Sequence, residues 1–288
     1  MSLHLNDAPW AGRLISLLPV TLVMLLTFPV IAEEQAVFRV CADPNNLPFS
    51  SEARDGFENR IADLLAKDLG MPVAYTWFPQ RMGFIRNTLK AKDPTRDGYK
   101  CDVVMGVPHN YDRAITTEPY YRSTYALVYV KGRGLDDVKT VADLLSFDDA
   151  RKQGLRIGVF ERTPAAQLLA QYDFYDQTVA YQTMSGDPAA YPGELVEKEL
   201  VAGKIDAAIL WGPIAGYFAK QAKDVEMVIV PLQSRPGIRF DFSISAAVRH
   251  GDGDRKKEIQ SALDRNAGAI KALLEEYNVP LLPINSGS

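Results

Sequence analysis

The chain has 288 residues and a formal net charge of −4 at neutral pH, and 47% of its residues are hydrophobic. Its charges are interspersed and mildly acidic, which argues against nucleic acid as a partner, because such partners select a basic stripe. No low-complexity segment or repeat of solenoid period occurs. The composition therefore indicates a globular protein of one large domain or two lobes.

The N-terminal 32 residues have the pattern of a secretory signal. Arg13 precedes a mostly apolar run over residues 14–31, and residues 30–32 read Val-Ile-Ala, a small-residue cleavage site. The alternative is a membrane anchor, since about 18 apolar residues lie near the lower limit for spanning a bilayer. We expect cleavage after Ala32, export, and a mature chain with no membrane span.

Strand and helix patterns alternate over the first part of the mature chain. Residues 101–107 form an almost continuous apolar run, which is typical of a strand buried on both faces. Strands that alternate with helices predict parallel strands covered by helices. The predicted elements are strand 37–41, helix 57–69, strand 73–78, helix 84–89 and strand 101–107.

A second α/β unit follows, and after it comes a strand and a helix that have no partner left in that unit. The simplest arrangement is that the chain returns to the first unit and packs its last strand and helix there. The chain then passes between the two units twice, which makes a two-stranded hinge. The predicted elements are strand 124–130, helix 141–147, strand 155–160, a helix opened by Pro164, strand 179–182, helix 193–202, strand 205–210, helix 213–222, strand 226–231, strand 239–248 and helix 254–276.

The predicted fold is therefore α/β, with two lobes, mixed sheets, flanking helices and a cleft between the lobes. Ligands of open α/β sheets bind at the carboxyl ends of strands, so the loops after residues 41, 77, 107, 160 and 210 should line the cleft. We assign 1–32 to the signal, 33–130 to the first part of lobe 1, 131–242 to lobe 2, and 243–288 to the return to lobe 1.

Cys41 and Cys101 are the two cysteines of the chain. Two thiols in an exported protein are usually paired, and both lie at the edges of strands predicted to be neighbours. In-register parallel pairing of those strands could place their Cα atoms beyond the roughly 7 Å limit for a bridge. The pattern leaves open a disulfide and two buried thiols.

Several strings in the chain resemble known proteins. Asp43, Pro48-Phe49, Gly56-Phe57 and the segment GKIDA at 203–207 are similar to type II periplasmic binding proteins that bind amino acids. The longer strings RVCADPNNLPFS, GFENRIADLLA, YTWFPQRMGFIRNTL, CDVVMGVP and PYYRSTYALVYV resemble the MxaJ and XoxJ proteins of methylotrophic bacteria. That family implies a periplasmic partner of quinoprotein (PQQ-dependent) methanol dehydrogenases.

The resemblance also assigns roles to two residues of the cleft. Arg113 stands where amino-acid binders clamp the ligand carboxylate, since a guanidinium matches two oxygens; the alternative is a surface arginine paired with Asp112. Trp211 stands where such binders carry an aspartate for the ligand ammonium. An indole has no negative charge, so amino-acid binding is disfavoured, and Trp211 either offers an aromatic surface or fills the cleft.

Further candidates for ligand or partner binding follow from position. Arg162 and Thr163 open the first helix of lobe 2, whose free N–H groups suit an anion; plain capping is the alternative. Strand ends and their loops supply the rest of the candidate set, which comprises Asp43, Phe49, Trp77, Arg81, His109 and Tyr111.

Motifs of catalysis and metal binding are absent from the sequence, including zinc, P-loop, dinucleotide and nucleophile-elbow patterns. An enzyme of this fold would need a positioned acid–base pair, for which Asp43 and His109 are the candidates. We expect no enzymatic activity, no cofactor and a monomer when free. The main hypothesis is an accessory protein that has methanol dehydrogenase as its partner, with the c-type cytochrome of that enzyme as a second candidate partner. The alternative is an ABC-importer subunit for a small anionic or carboxylate ligand, with PQQ as one candidate.

Overall fold

The computed structural model describes residues 36–80, 83–183, 185, 187 and 189–284. The predicted signal sequence and Arg81 lie outside the described residues. The strands are β1 (Phe38–Ala42), β2 (Asn45–Asn46), β3 (Ser50–Ser51), β4 (Val73–Trp77), β5 (Val103–Pro108), β6 (Ile115–Thr116), β7 (Tyr121–Val130), β8 (Ile157–Phe160), β9 (Thr178–Tyr181), β10 (Ala207–Trp211), β11 (Met227–Pro231) and β12 (Asp241–Val248).

Helices cover both faces of the sheet that these strands form. Most follow a strand directly, as the sequence pattern predicts. They are α1 (Phe57–Asp68), α2 (Phe84–Asn87), α3 (Val141–Leu145), α4 (Asp149–Lys152), α5 (Pro164–Gln171), a π-helix (Leu195–Leu200), α6 (Gly212–Gln221), α7 (Gly253–Arg265) and α8 (Ala267–Glu276).

The main sheet runs in the order β4-β1-β5-β12-β7-β10-β8-β9, with β11 beside β7 and β6 beside β12. Strands β1, β4 and β5 are parallel to one another, and so are β8, β9 and β10. We call the first group, with β12 and the start of β7, lobe 1. The second group, with β11 and the rest of β7, is lobe 2. The domain boundaries given above stay predictions.

Each lobe has an apolar core on both faces of its sheet. In lobe 1, α1, α7 and α8 bury residues such as Phe57, Leu65 and Leu263 against the strands. In lobe 2, α3 and α5 pack on one face, and the π-helix and α6 pack on the other. Since each fully buried leucine or phenylalanine contributes about 1.5–3 kcal/mol, each lobe carries its own stabilising core.

Two strands cross between the lobes, as the predicted two-stranded hinge requires. The first half of β7 pairs with β12, and its second half pairs with β10 and β11. Arg122 on β7 forms an ion pair with Asp241 on β12, with Nε 3.1 Å from Oδ2, and both side chains are largely buried. The pair therefore fixes the hinge at the point where the strands leave one lobe for the other.

Cys41 and Cys101 form a disulfide, with their Cα atoms 5.4 Å apart. Cys41 is paired in register with Val104, so a regular parallel strand would leave Cys101 too far away. The segment before β5 therefore departs from regular strand geometry. Next to Cys101, the Lys100 carbonyl accepts a hydrogen bond from the Thr76 hydroxyl at 2.7 Å, and Thr76 is the neighbour of Cys41 on β4.

The long helix predicted over 254–276 is wrong as a single helix. The chain forms α7 and α8, which are separated by Asn266. The Asn266 side-chain amide donates a hydrogen bond to the Ala262 carbonyl at 2.8 Å, and asparagine favours such local bonds over a continuous helix. Both helices still place apolar residues, including Ile259 and Ile270, in the core of lobe 1. No helix among the described residues is both long and apolar enough to cross a membrane.

Candidate functional site

A cavity of about 140 Å³ lies between the lobes, where the carboxyl ends of the lobe 1 strands face the end of β10. This is the location that the strand order predicts for a ligand site. We call it the interlobe cavity. It is lined by Phe49, Glu58, Gln80, Gly106, Tyr121, Trp211 and Ile244.

Three aromatic rings contribute to the cavity wall. Trp211, from lobe 2, lies edge-on to Tyr125 and Phe242, with ring centres 5.6 Å and 5.9 Å apart. Phe49 and Tyr121, from lobe 1 and the hinge, both lie edge-on to the buried ring of Phe57. Edge-to-face packing of this kind holds each ring in place, so the wall is set by the cores of both lobes.

Glu58 places a carboxyl group in this aromatic surrounding. It occupies the second position of α1, and its N–H donates to the Phe49 carbonyl at 2.8 Å. A Cβ atom at position 106 would lie 1.9 Å from Glu58 Oε1, so the glycine there makes room for the carboxyl. Among the described residues the carboxyl has no hydrogen-bond or ion-pair partner. Burial raises the pKa of Glu58 to about 8.

The two phenols beside Glu58 stay neutral. The Tyr120 hydroxyl donates a hydrogen bond to the Met105 carbonyl at 2.9 Å. Burial, and after it the nearby charge of Glu58, holds the pKa of Tyr120 and of Tyr121 well above its usual range. Glu58 is therefore the group of this cavity that can change its charge near neutral pH.

Asp43, a predicted site residue, organises the rim of the cavity and not its lining. Its carboxylate accepts hydrogen bonds from the N–H groups of Asn45 and Gln80, at 2.8 Å and 2.5 Å. These bonds join the loop after β1 to the loop after β4. The Asn45 side-chain amide then reaches across to lobe 2 and donates to the Ala189 carbonyl at 3.1 Å.

His109 and Tyr111 lie on the lobe 1 side, away from the interlobe cavity. The His109 N–H donates to the Ser243 carbonyl at 2.8 Å, and its Nδ1 lies 3.2 Å from the Thr117 carbonyl oxygen. The same Nδ1 atom lies 3.1 Å from the Ser245 hydroxyl of β12, and no hydrogen bond joins the imidazole to Asp43. Tyr111 packs against the core cluster around the disulfide.

Arg113 is exposed and does not line the interlobe cavity. It has no ion pair with Asp112 or with any other described residue. The structure therefore shows neither the carboxylate clamp nor the surface pair that the sequence left open. Its direct neighbour Ala114 is buried on the face of the sheet that carries the disulfide.

Three further candidates, Arg162, Thr163 and Trp77, do not line the interlobe cavity. Thr163 caps α5, because its hydroxyl accepts from the Ala166 N–H at 3.4 Å and donates to the Phe160 carbonyl at 2.6 Å. Arg162 is exposed, with a left-handed backbone (φ 57°). Trp77 stacks on Tyr75 with ring centres 4.5 Å apart and packs against the lobe 1 core.

Sequence reasoning placed Phe49 and Trp211 at the cleft, and the structure brings both to the cavity. It missed Glu58, Gln80, Gly106 and Ile244. The available signal was a charged residue between Phe57 and Asn59, both of which are buried. No cluster that could hold a metal ion occurs in the described part of the chain.

The comparisons with known proteins agree with this geometry. Protein MoxJ of Methylorubrum extorquens is 29% identical over 272 residues, which cover 88% of this chain and 84% of the relative. The crystal structure of MxaJ from Methlophaga aminisulfidivorans has a TM-score of 0.72 and 29% identity, over 85% of this chain and all of the other. No model of a known protein family matches the chain.

The crystal structure of the periplasmic binding protein XoxJ from Methylobacterium extorquens superposes with a TM-score of 0.67 and 36% identity, over 86% of this chain and 100% of that one. The chain belongs to the MxaJ and XoxJ family. The resemblance read from the sequence is thereby confirmed, and so is the type II periplasmic binding fold. Among members of this family, the solved XoxJ is described as a periplasmic binding protein, which agrees with the two lobes and the cleft seen here.

Proposed function

We propose that this protein is a non-enzymatic periplasmic accessory protein of methanol oxidation. It binds a quinoprotein (PQQ-dependent) methanol dehydrogenase and assists its activation, its assembly or its coupling to a cytochrome. Membership of the MxaJ and XoxJ family supports the proposal. The predicted signal sequence over residues 1–32 would deliver the chain to the periplasm.

The state of the cleft is the observation that carries the proposal. At the carboxyl ends of the strands, where a solute would bind, the Trp211 ring lines a cavity of about 140 Å³. Pockets for larger ligands typically measure about 300–1,000 Å³, so a tricarboxylate such as PQQ is too large for this space. Neither Arg113 nor Thr163 lies at the cavity, so nothing described there favours the importer of a carboxylate.

The proposal is tested with purified methanol dehydrogenase in three states: complete, without PQQ, and without its metal. Size-exclusion chromatography should show a complex with at least one state, and adding the protein should raise the rate at which activity appears. Trp211→Ala should weaken that complex if the cleft takes part, and Glu226→Gln, which changes an exposed carboxyl of lobe 2, serves as the control. No complex and no change in activity in any state would rule out the proposal.

A thermal-shift screen of small acids separates this function from solute transport. A ligand at 100 times its dissociation constant adds about 2.7 kcal/mol to the free energy of unfolding. We expect no such shift with carboxylates, because no described cationic side chain lines the cavity.

A further inference from the structure

The interlobe cavity holds an ionisable group that the proposed function does not use. The Glu58 carboxyl faces this space and has no donor among the described residues. The side chain is half-buried, and a carboxyl that is withdrawn from water without a partner is destabilised in its charged form. The fold nonetheless leaves room for it, since a side chain at Gly106 would collide with its Oε1 atom.

The walls around this carboxyl have the chemistry of a cation site. The rings of Phe49, Tyr121 and Trp211 line the space, and a cation over the face of such a ring is attracted by about 0.5–2 kcal/mol. Gln80 adds an amide, whose oxygen accepts a hydrogen bond from the Asn46 side chain at 2.7 Å and has a second lone pair for a ligand. No lysine, arginine or histidine among the described residues lines the cavity, so an anion would find no positive partner in it.

The volume suits a small ligand. A cavity of about 150 Å³ can hold a benzene molecule, and the interlobe cavity measures about 140 Å³. Amino acids are excluded on two grounds: most are larger, and their carboxylate would lie beside Glu58 with no arginine to receive it. A short alkyl chain that ends in a primary ammonium group satisfies the size, the apolar wall and the charge together.

We propose that the interlobe cavity binds a small primary alkylammonium ion, with Glu58 as its counter-ion and the rings of Phe49, Tyr121 and Trp211 around it. The ammonium group donates to the carboxylate and to the Gln80 amide oxygen, and the alkyl group lies against the rings. Because Trp211 comes from lobe 2 and Glu58 from lobe 1, such a ligand would also hold the lobes together. This inference does not depend on the dehydrogenase as a partner.

Binding should release a proton below about pH 8. Burial raises the pKa of Glu58 to about 8 in the empty cavity, and a bound cation would stabilise the carboxylate. The other titratable groups that face it are the phenols of Tyr120 and Tyr121, which stay neutral because burial raises their pKa. Affinity should therefore rise about fiftyfold from pH 6 to pH 8 and then level off.

Isothermal titration calorimetry of the mature chain with methylammonium, n-butylammonium and acetate tests the proposal. We expect binding of both amines, none of acetate, and proton release at pH 7 that appears when buffers of different ionisation enthalpy are compared. Glu58→Gln should weaken amine binding at least tenfold and abolish the proton release. Glu226→Gln, an exposed carboxyl of lobe 2, should leave both unchanged.

Three outcomes would overturn the proposal. The first is no amine binding at pH 8. The second is amine binding with the same affinity in Glu58→Gln, provided that circular dichroism shows the variant to be folded. An affinity of the unmodified protein that does not change with pH would count equally against the proposal. The third concerns Arg81, which follows Gln80 in the sequence. Tighter amine binding by Arg81→Gln would show that Arg81 is the counter-ion of Glu58 in the unmodified protein, whereas the proposal expects no change in affinity.

Discussion

The position of the Glu58 carboxyl depends on the absence of a side chain at Gly106. A carboxyl at the start of a helix is ordinarily exposed and is stabilised by the helix dipole. Here α1 begins at the cleft, and the missing side chain at Gly106 lets the Glu58 carboxyl turn into the cavity. The resulting burial raises the pKa of the carboxyl to about 8, so its charge becomes sensitive to conditions in which most carboxyls stay ionised.

This raised pKa predicts a pH-dependent stability. Between about pH 4.5 and pH 8 the unfolded chain loses the Glu58 proton while the folded chain keeps it, so folding becomes less favourable as pH rises. The free energy of unfolding should fall by about 2–4 kcal/mol from pH 5 to pH 8. Glu58→Gln removes this titration, so its melting temperature should exceed that of the unmodified protein by a margin that grows from pH 5 to pH 8.

Scanning calorimetry at pH 5, 6, 7 and 8 measures the difference in melting temperature between Glu58→Gln and the unmodified protein. Each kcal/mol of stability should change the melting temperature by about 2–4 °C. Glu226→Gln changes an exposed carboxyl and should give a small difference that does not vary with pH. A constant margin for Glu58→Gln would mean that the carboxyl is already ionised in the folded protein at pH 5.

At the scale of residues, the sequence identified one wall of the cavity and missed its charge. Trp211 could be predicted because it ends a strand, and the carboxyl ends of strands are where this fold meets ligands. Arg113 was expected beside it, but its loop lies exposed and outside the cavity lining. Glu58 could not be predicted, because its position in the cavity depends on Gly106, which lies on a strand that is distant in sequence.

At the scale of elements, helix α6 is distinguished by how closely the C-terminal segment approaches it. A Cβ atom at position 216 would lie 1.9 Å from the Asn278 carbonyl oxygen, which belongs to backbone. The Asn278 side chain also donates to the Gly216 carbonyl at 2.9 Å. This contact holds the end of the chain, after α8, against the helix that follows Trp211.

Gly216→Ala should therefore destabilise the protein even though alanine favours helix. Backbone must move to admit the methyl group, and overpacking of this kind costs about 1–3 kcal/mol. Gly268→Ala on α8 is the matched control: a Cβ there meets nothing within 4 Å, so the higher helix propensity should leave stability equal or raise it by about 1 kcal/mol. Urea unfolding followed by circular dichroism compares the two; equal midpoints would show that the segment at Asn278 adjusts freely.

The order of the strands and helices could be predicted from the spacing of apolar residues, whereas local interruptions within these elements could not. Strands such as 101–107 could be predicted because an unbroken apolar run needs cover on both faces. The division of 254–276 at Asn266 was not predicted, since the apolar spacing continues through both α7 and α8. The disulfide could not be decided from the sequence for a similar reason: it depends on a departure from regular strand geometry just before β5, which apolar spacing does not reveal.

At the scale of the whole molecule, the loop after β1 links the two lobes. Phe49 packs against the lobe 1 core and also against the cluster that α6 and the π-helix form in lobe 2. Asn45 adds its hydrogen bond to Ala189. The strands of the hinge, with the ion pair between Arg122 and Asp241, also connect the lobes, and so does the contact between Asn278 and helix α6.

Phe49→Ala should shift the protein toward an open form. The substitution removes apolar contact with both lobes, at a cost of about 2 kcal/mol for a half-buried ring, and the part of that contact made with lobe 2 exists only when the lobes are closed. Small-angle X-ray scattering should give a larger radius of gyration than for the unmodified chain. Phe174→Leu, in the buried core of lobe 2, should lower the melting temperature without changing the radius. If Phe49→Ala scatters like the unmodified protein, the hinge alone sets the angle between the lobes.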